Sequence, residues 1–177
     1  MTPPQNPAGE FLEEPEQTMA RRTELVAQIA RASGNLQAAV RGLSDEQLEA
    51  RFRNWTIRQI VHHLADSHVH CYARFKWALT ENHPTIKPYD ETCCAELEDS
   101  RTGDINPPLA LFDALQIRWV QLMKSMQDSQ FQRTFYHPES RKTVNLNSAV
   151  SYYAWHGNHH IAQIHWVRRL LGLPMGE

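Results

Sequence analysis

The run from Thr56 to Leu79 sets the terms for the rest of the chain. Thr56-Ile57-Arg58-Gln59 has the Thr-x-x-Gln form of a capping box, which satisfies backbone N–H groups that a helix start leaves unpaired. Behind it Ile57, Ile60, Val61, Leu64, Cys71, Tyr72, Phe75 and Leu79 recur at helical spacing and trace one apolar stripe. A helix with such a stripe must bury it against other elements, and the remaining sequence supplies helices to do so. Leu25, Ile29, Ala32, Leu36, Ala39 and Val40 predict a first helix from Pro15 to about Arg41, with Gly42 as the residue just past its end. Asn106-Pro107 reads as N-cap and first residue of a third helix, whose buried face is Leu109, Phe112, Leu115, Trp119, Leu122 and Met126. A fourth starts near Asn147 and ends at Leu171, with Gly172 and Pro174 as stop signals. The fold class that follows is all-α, a four-helix bundle.

The connections carry their own signals. Asn82 to Ile105 is longer than a bundle loop needs, and such loops tend to be functional, so it is expected to cover one end of the bundle. Gln132 to Leu146 holds Thr134-Phe135-Tyr136 and Lys142-Thr143-Val144 around a His-Pro-Glu-Ser turn, which predicts a small hairpin before the last helix. Ser44-Asp45-Glu46-Gln47 is a second capping box and predicts a short helical turn. The Pro-rich, polar residues 1–15 read as an extended arm, lying on the domain or trailing from it, and residues 16–177 as a single domain.

Composition narrows the function classes. A formal net charge of -2 gives no electrostatic footprint for nucleic acid or an anionic membrane. There is no apolar run of the roughly eighteen residues that a membrane span needs. Met1 to Pro7 lacks a basic start and an apolar core, so no secretory signal is expected. Cys71, Cys93 and Cys94 are an odd set that makes no disulfide framework, and a cytoplasmic protein is the expectation.

Ten histidines are the chain's chemical signature. On a helical wheel the apolar face of the fourth helix is defined by Ala149, Val150, Tyr153, Ile164, Val167 and Leu171, and His156 and His160 fall within it, about 40° apart. His159 sits toward the edge of that face, and His165 lies toward solvent. On the second helix His62 points away from the stripe, whereas His63 flanks it near Ser67. Neutral imidazole is the commonest protein metal ligand, and bundles build metal sites from inward side chains of different helices. The competing reading is a set of hydrogen-bonded core histidines. His62, His68, His70, His83, His137 and His165 are assigned to the surface or to supporting positions. Three nitrogens plus an open position describe a catalytic rather than a structural zinc site. The Glu of a His-Glu-x-x-His peptidase helix is missing, because Gly157 follows His156. That glycine either eases helix packing or makes room for substrate.

The chain resembles the DinB-like superfamily of four-helix metalloproteins, and more narrowly its YfiT branch. The likeness rests on Gly9-Glu10-Phe11, on Trp55 to His68, and on Arg74-Phe75-Lys76. It continues through Lys87-Pro88-Tyr89-Asp90-Glu91, Phe135-Tyr136-His137-Pro138, Tyr153-Ala154-Trp155-His156 and His159-His160-Ile161-Ala162. The branch is provisionally described as metal-dependent hydrolases and includes bacillithiol S-transferases. The resemblance implies that His63, His156 and His160 hold one divalent ion per subunit, zinc or nickel, in a homodimer acting on a small molecule. Two chemistries fit. A hydrolase would activate water, and Asp66, the nearest acid in sequence, projects outward on the wheel. A thiol S-transferase would hold a low-molecular-weight thiol as thiolate and needs no general base; Arg58 and Arg74 are its candidate contacts for the thiol's polar body. A non-catalytic ligand-binding bundle is the third reading.

Overall fold

Two capping boxes anchor the architecture seen in the computed structural model, which describes residues 2–175. At the first, Ser44 and Gln47 exchange side-chain and backbone bonds to start the short helix α2 (Asp45–Leu48). At the second, Thr56 and Gln59 do the same for α3 (Ile57–Thr80). Between them β1 (Arg51–Phe52) and β2 (Trp55–Thr56) form a tight antiparallel hairpin. The other long helices are α1 (Met19–Val40), α6 (Asn106–Ser125) and α7 (Leu146–Leu170). The long connection after α3 holds α4 (Glu91–Ala95) and α5 (Glu98–Thr102), and a 3-10 turn, Asp128–Gln132, follows α6. The expected hairpin is present as β3 (Thr134–His137) and β4 (Lys142–Asn145), paired from Thr134↔Asn145 to His137↔Lys142.

Helix ends move where the cap differs from the one read in the sequence. α1 begins at Met19 rather than Pro15, because the Thr18 hydroxyl accepts the Arg21 N–H at 3.1 Å. Asn106 is the first helical residue of α6 instead of its N-cap; the Asp104 carboxylate accepts its N–H at 3.0 Å and its side-chain amide at 2.9 Å. α7 starts at Leu146, capped by Asn145, whose side chain accepts the Ser148 N–H at 2.8 Å. Gly42 and Gly172 do sit just past α1 and α7 with φ of 74° and 68°, in the left-handed region that glycine enters without strain.

α1 packs on α6 and α7, and α3 packs on the same two, so α1 and α3 face each other across the bundle. Two apolar clusters fill it. One gathers Ile29, Phe75, Trp119 and Val150; the other gathers Leu36, Leu64, Phe112 and Ile164. Between them α3 and α7 carry histidines in place of aliphatic side chains. Arg168 closes one end: it donates to the carbonyls of Ala39 and Arg41 at 3.0 and 3.1 Å, satisfying oxygens that the end of α1 leaves free.

The N-terminal arm lies against α7. Trp155 Nε1 donates to Gly9 O at 2.9 Å, Phe11 packs on the rings of Tyr152 and Trp155, and the Glu14 N–H donates to Ser151 Oγ at 3.3 Å. The α3–α6 connection is tied down at both ends. Ile86 N–H donates to Tyr136 O and Tyr136 N–H to Pro84 O, so residues 84–86 extend the β3–β4 hairpin. Gln59 Nε2 then holds Ala95 O at 2.8 Å. The segment between these anchors, 87–94, is thereby laid over the middle of α3.

Candidate metal centre

His63 reaches inward from α3, and His156 and His160 from α7, one turn apart. The ligand atoms of the three all lie within 4.8 Å of one another, and all three side chains are buried. His63 Nε2 and His156 Nε2 are 3.2 Å apart. Two nitrogens bound at about 2.0–2.1 Å in a tetrahedral zinc site stand roughly 3.4 Å apart, so the spacing fits a shared ion.

The outward nitrogens of His63 and His160 have partners, whereas Nδ1 of His156 is buried without one. Gln163 Oε1 lies 2.8 Å from His160 Nδ1, and an amide oxygen only accepts, so that nitrogen carries the proton and Nε2 keeps its lone pair. The other end of the same amide, Nε2, donates to His159 Nε2 at 2.8 Å. Tyr89, from the laid-over segment, places its hydroxyl 2.8 Å from His63 Nδ1. Metal-bound imidazoles usually donate their second N–H in this way. Trp55 covers His63 and His160, with ring centroids at 4.6 and 6.0 Å.

Burial keeps the cluster neutral. It is the largest cause holding His63 and His156 well below the ordinary imidazole range, with the neighbouring histidines adding to it. Burial also pushes His160 down to about 3 against the pull of Gln163. Neutral, buried, convergent imidazoles are what a divalent ion requires of its ligands.

The other histidines divide between the surface and supporting positions assigned to them. Of the two readings for His68, surface or supporting, the supporting one holds: it is fully buried beside His156, receives Gln116 Nε2 on its Nδ1 at 2.8 Å, and meets Phe112, Trp119 and Tyr153 edge-on. His62 is also buried, because α5 and the residues after it cover the face of α3 that the wheel turns outward. His165 is half-buried rather than solvent-facing, and His83 is exposed as expected. Arg58 cannot serve a ligand; its guanidinium is taken up by Glu49 at 2.8 Å, Asp45 at 3.3 Å and Gly103 O at 2.7 Å. At Gly157 a Cβ would meet Ala32 Cβ at 3.5 Å and His68 at 4.0 Å. That residue therefore faces α1, where a methyl would fit at ordinary contact distance, and it borders neither cavity at the cluster.

Two cavities meet at the cluster. One of about 600 Å³ is walled by Ser67, Arg74, Tyr89, Tyr152, Tyr153 and His156. The second, of about 410 Å³, reaches His156 and His160 past Asn54 and Trp55. Glu91, Thr92, Tyr152 and His156 border both. Glu91 is the acid that the sequence reading missed. It opens α4, and although exposed its carboxyl pKa is raised, first by surrounding protein atoms that thin its hydration and then by the Glu139 and Asp90 charges. Its one sequence signal is its place in the long loop, next to Tyr89.

Residues 28–164 match the DinB superfamily. A Bacillus subtilis relative, YfiT, provisionally named a metal-dependent hydrolase, is 40% identical over 168 residues, covering 94% of each chain. A Bacillus mycoides relative with the same provisional name is 43% identical over 148 residues, 82% of this chain and 84% of that one. The solved structure of Bacillus subtilis YfiT superposes with a TM-score of 0.92 over 96% of this chain and 98% of that one. It is described as a candidate metal-dependent hydrolase with an unusual four-helix bundle topology. Among the described residues no helix is long and apolar enough to cross a membrane.

Proposed function

The chain belongs to the DinB superfamily, and from that premise we propose that it is a metal-dependent hydrolase of a small molecule. Its divalent ion, zinc or nickel, one per chain, is held by His63, His156 and His160. The observation that carries the reading is the convergence of three buried, neutral imidazoles, with Gln163 setting the tautomer of His160 and the Tyr89 hydroxyl on His63 Nδ1. When bound there, such an ion supplies Lewis acidity, polarising a carbonyl and lowering the pKa of a water or thiol beside it.

The protein's own groups do the rest. Glu91 borders both cavities at His156, and its raised pKa suits a carboxylate that takes a proton from an attacking water and returns it to the leaving group. Trp55 shields the flank of His63 and His160 from bulk water. Tyr152 and Tyr153 wall the larger cavity, whose size suits a small molecule.

Metal content of untagged protein tests this, for the parent chain and for His63→Ala, His156→Ala and His160→Ala. Near one equivalent in the parent and loss in each variant is expected; equal metal in all four sinks the assignment. The loaded protein is then offered ester and amide substrates, with hydrolysis by water alone as the expected result. Transfer of a thiol is the second reading, favoured by one feature: two cavities with partly different walls both border His156, as two reactants would require. Turnover only in the presence of an added thiol selects it.

A further inference from the structure

Arg74 is a partly buried cation with nothing to hold. Its Nε is buried without a hydrogen-bond partner, and its guanidinium makes no hydrogen bond or ion pair among the described residues. The more deeply buried arginines are spoken for: Arg22 by Asp128 and Asn147, Arg58 by Glu49 and Asp45, Arg168 by backbone carbonyls. A buried guanidinium nitrogen left without a partner costs free energy unless something arrives to pair with it.

The position says what should arrive. Arg74 lines the same 600 Å³ cavity as His156, on the side of α3 that also carries Ser67 and His63. It lies eleven residues beyond His63, about 16 Å along the helix axis, and helical side chains lean back toward the N-terminus, so its fork is aimed toward the cluster. Tyr89, Phe135, Tyr152 and Tyr153 line the space between with aromatic surface. The acids on this cavity, Glu13, Asp90, Glu91 and Glu139, are exposed, and none forms an ion pair with Arg74. They outnumber the cations Arg74 and Lys142, so a dianion entering past them is disfavoured relative to a single negative charge. A planar fork offering two parallel N–H donors matches a carboxylate.

We infer that Arg74 anchors a carboxylate carried by the substrate, at the far end of the cavity from the three imidazoles. The inference rests on the hydrolase reading for what happens at the near end. It narrows the substrate class: an acid whose reacting bond is separated from its carboxylate by an apolar spacer, rather than an α-substituted acid.

Calorimetric titration with 4-phenylbutyrate, its neutral amide and phenyl phosphate tests the anchor. Charge-assisted pairing predicts that the parent chain prefers the carboxylate over the amide by about tenfold or more. In Arg74→Gln the preference falls to about one, and in Arg74→Lys, which keeps the charge but not the fork, it is intermediate. In His63→Ala it persists. A preference unchanged in Arg74→Gln, or in Arg74→Lys should the first variant not fold, overturns the anchor. So does a preference lost in His63→Ala, which would put the carboxylate on the metal, and so does an absence of saturable carboxylate binding. Tighter binding of phenyl phosphate than of the carboxylate overturns the choice of anion. Metal content measured on the same samples separates the two readings: parent protein without metal that keeps its Arg74-dependent preference sinks the ion and leaves the anchor.

Discussion

Gln163 gives one amide two opposite duties, accepting from His160 and donating to His159, and neither bond survives its rotation. Replacing it with leucine leaves the His160 tautomer unset and its Nδ1–H unpaired. Tyr89→Phe does the same to His63. Partners of this kind contribute about 10- to 100-fold in metal affinity. Competition with a chelator is expected to show losses in that range for Gln163→Leu and Tyr89→Phe, with circular dichroism unchanged; unaltered affinity in both would show that the ligands orient themselves. Glu91→Gln is expected to keep the metal and lower kcat by about 10²-fold or more, the scale of a lost general base. The His63, His156 and His160 cluster was legible because helices project their side chains at a known angle. Tyr89 and Glu91 were not, because loop residues have no period to project from. His68 is the instructive case between. It lies four residues after Leu64 and three before Cys71, so spacing places it inside while imidazole polarity points outward. Spacing wins because Gln116 supplies the buried hydrogen bond.

At the level of elements, an apolar stripe tells where a helix packs but not how many neighbours it has. The first turns of α3, from Ile57 to Ala65, are buried on every side, since α5 and the chain after it cover the face opposite the bundle. Nothing in the periodicity of α3 announces that cover, which is why His62 reads as exposed. The four long helices were legible from their stripes. Their ends shifted by a few residues because capping groups compete locally, as Asp104 does with Asn106. Gly157 supplies a prediction at this scale. Its backbone is helical, and an added methyl would meet Ala32 at ordinary contact distance. Glycine inside a helix costs about 0.5–1 kcal/mol relative to alanine. Gly157→Ala is therefore expected to leave metal content unchanged and to hold or raise the urea midpoint. A loss of metal or a large drop in that midpoint would mean that the position is held open for the site after all.

Across the whole molecule, the histidines lie where an ordinary bundle would continue its aliphatic core, between the two apolar clusters. That placement couples stability to pH. His68 and His160 are pushed to about 3 by burial, and His63 and His156 are lowered in the same direction. In the unfolded chain an imidazole titrates near 6.5, by the usual reference value. Above that pH both states are neutral at these positions and stability does not change with pH on their account. Below it the unfolded chain takes up protons that the folded chain refuses, so stability falls as pH drops from about 6.5 toward the folded values. Each such group contributes a slope of up to about 1.4 kcal/mol per pH unit inside that window. A bound ion adds stability by mass action, and because the folded ligands stay neutral until the pH nears their lowered values, its increment persists through this window. Urea melts of chelator-treated and metal-loaded protein at pH 7.5 and pH 5.0 should show the two effects separately. The chelated form loses stability between the two pH values, and the gap between loaded and chelated forms stays open at pH 5.0. A chelated protein equally stable at both pH values would mean that the buried histidines find protons as readily folded as unfolded. A loaded-minus-chelated gap that closes by pH 5.0 would mean that protons reach the ligand nitrogens of the folded protein well above those lowered values.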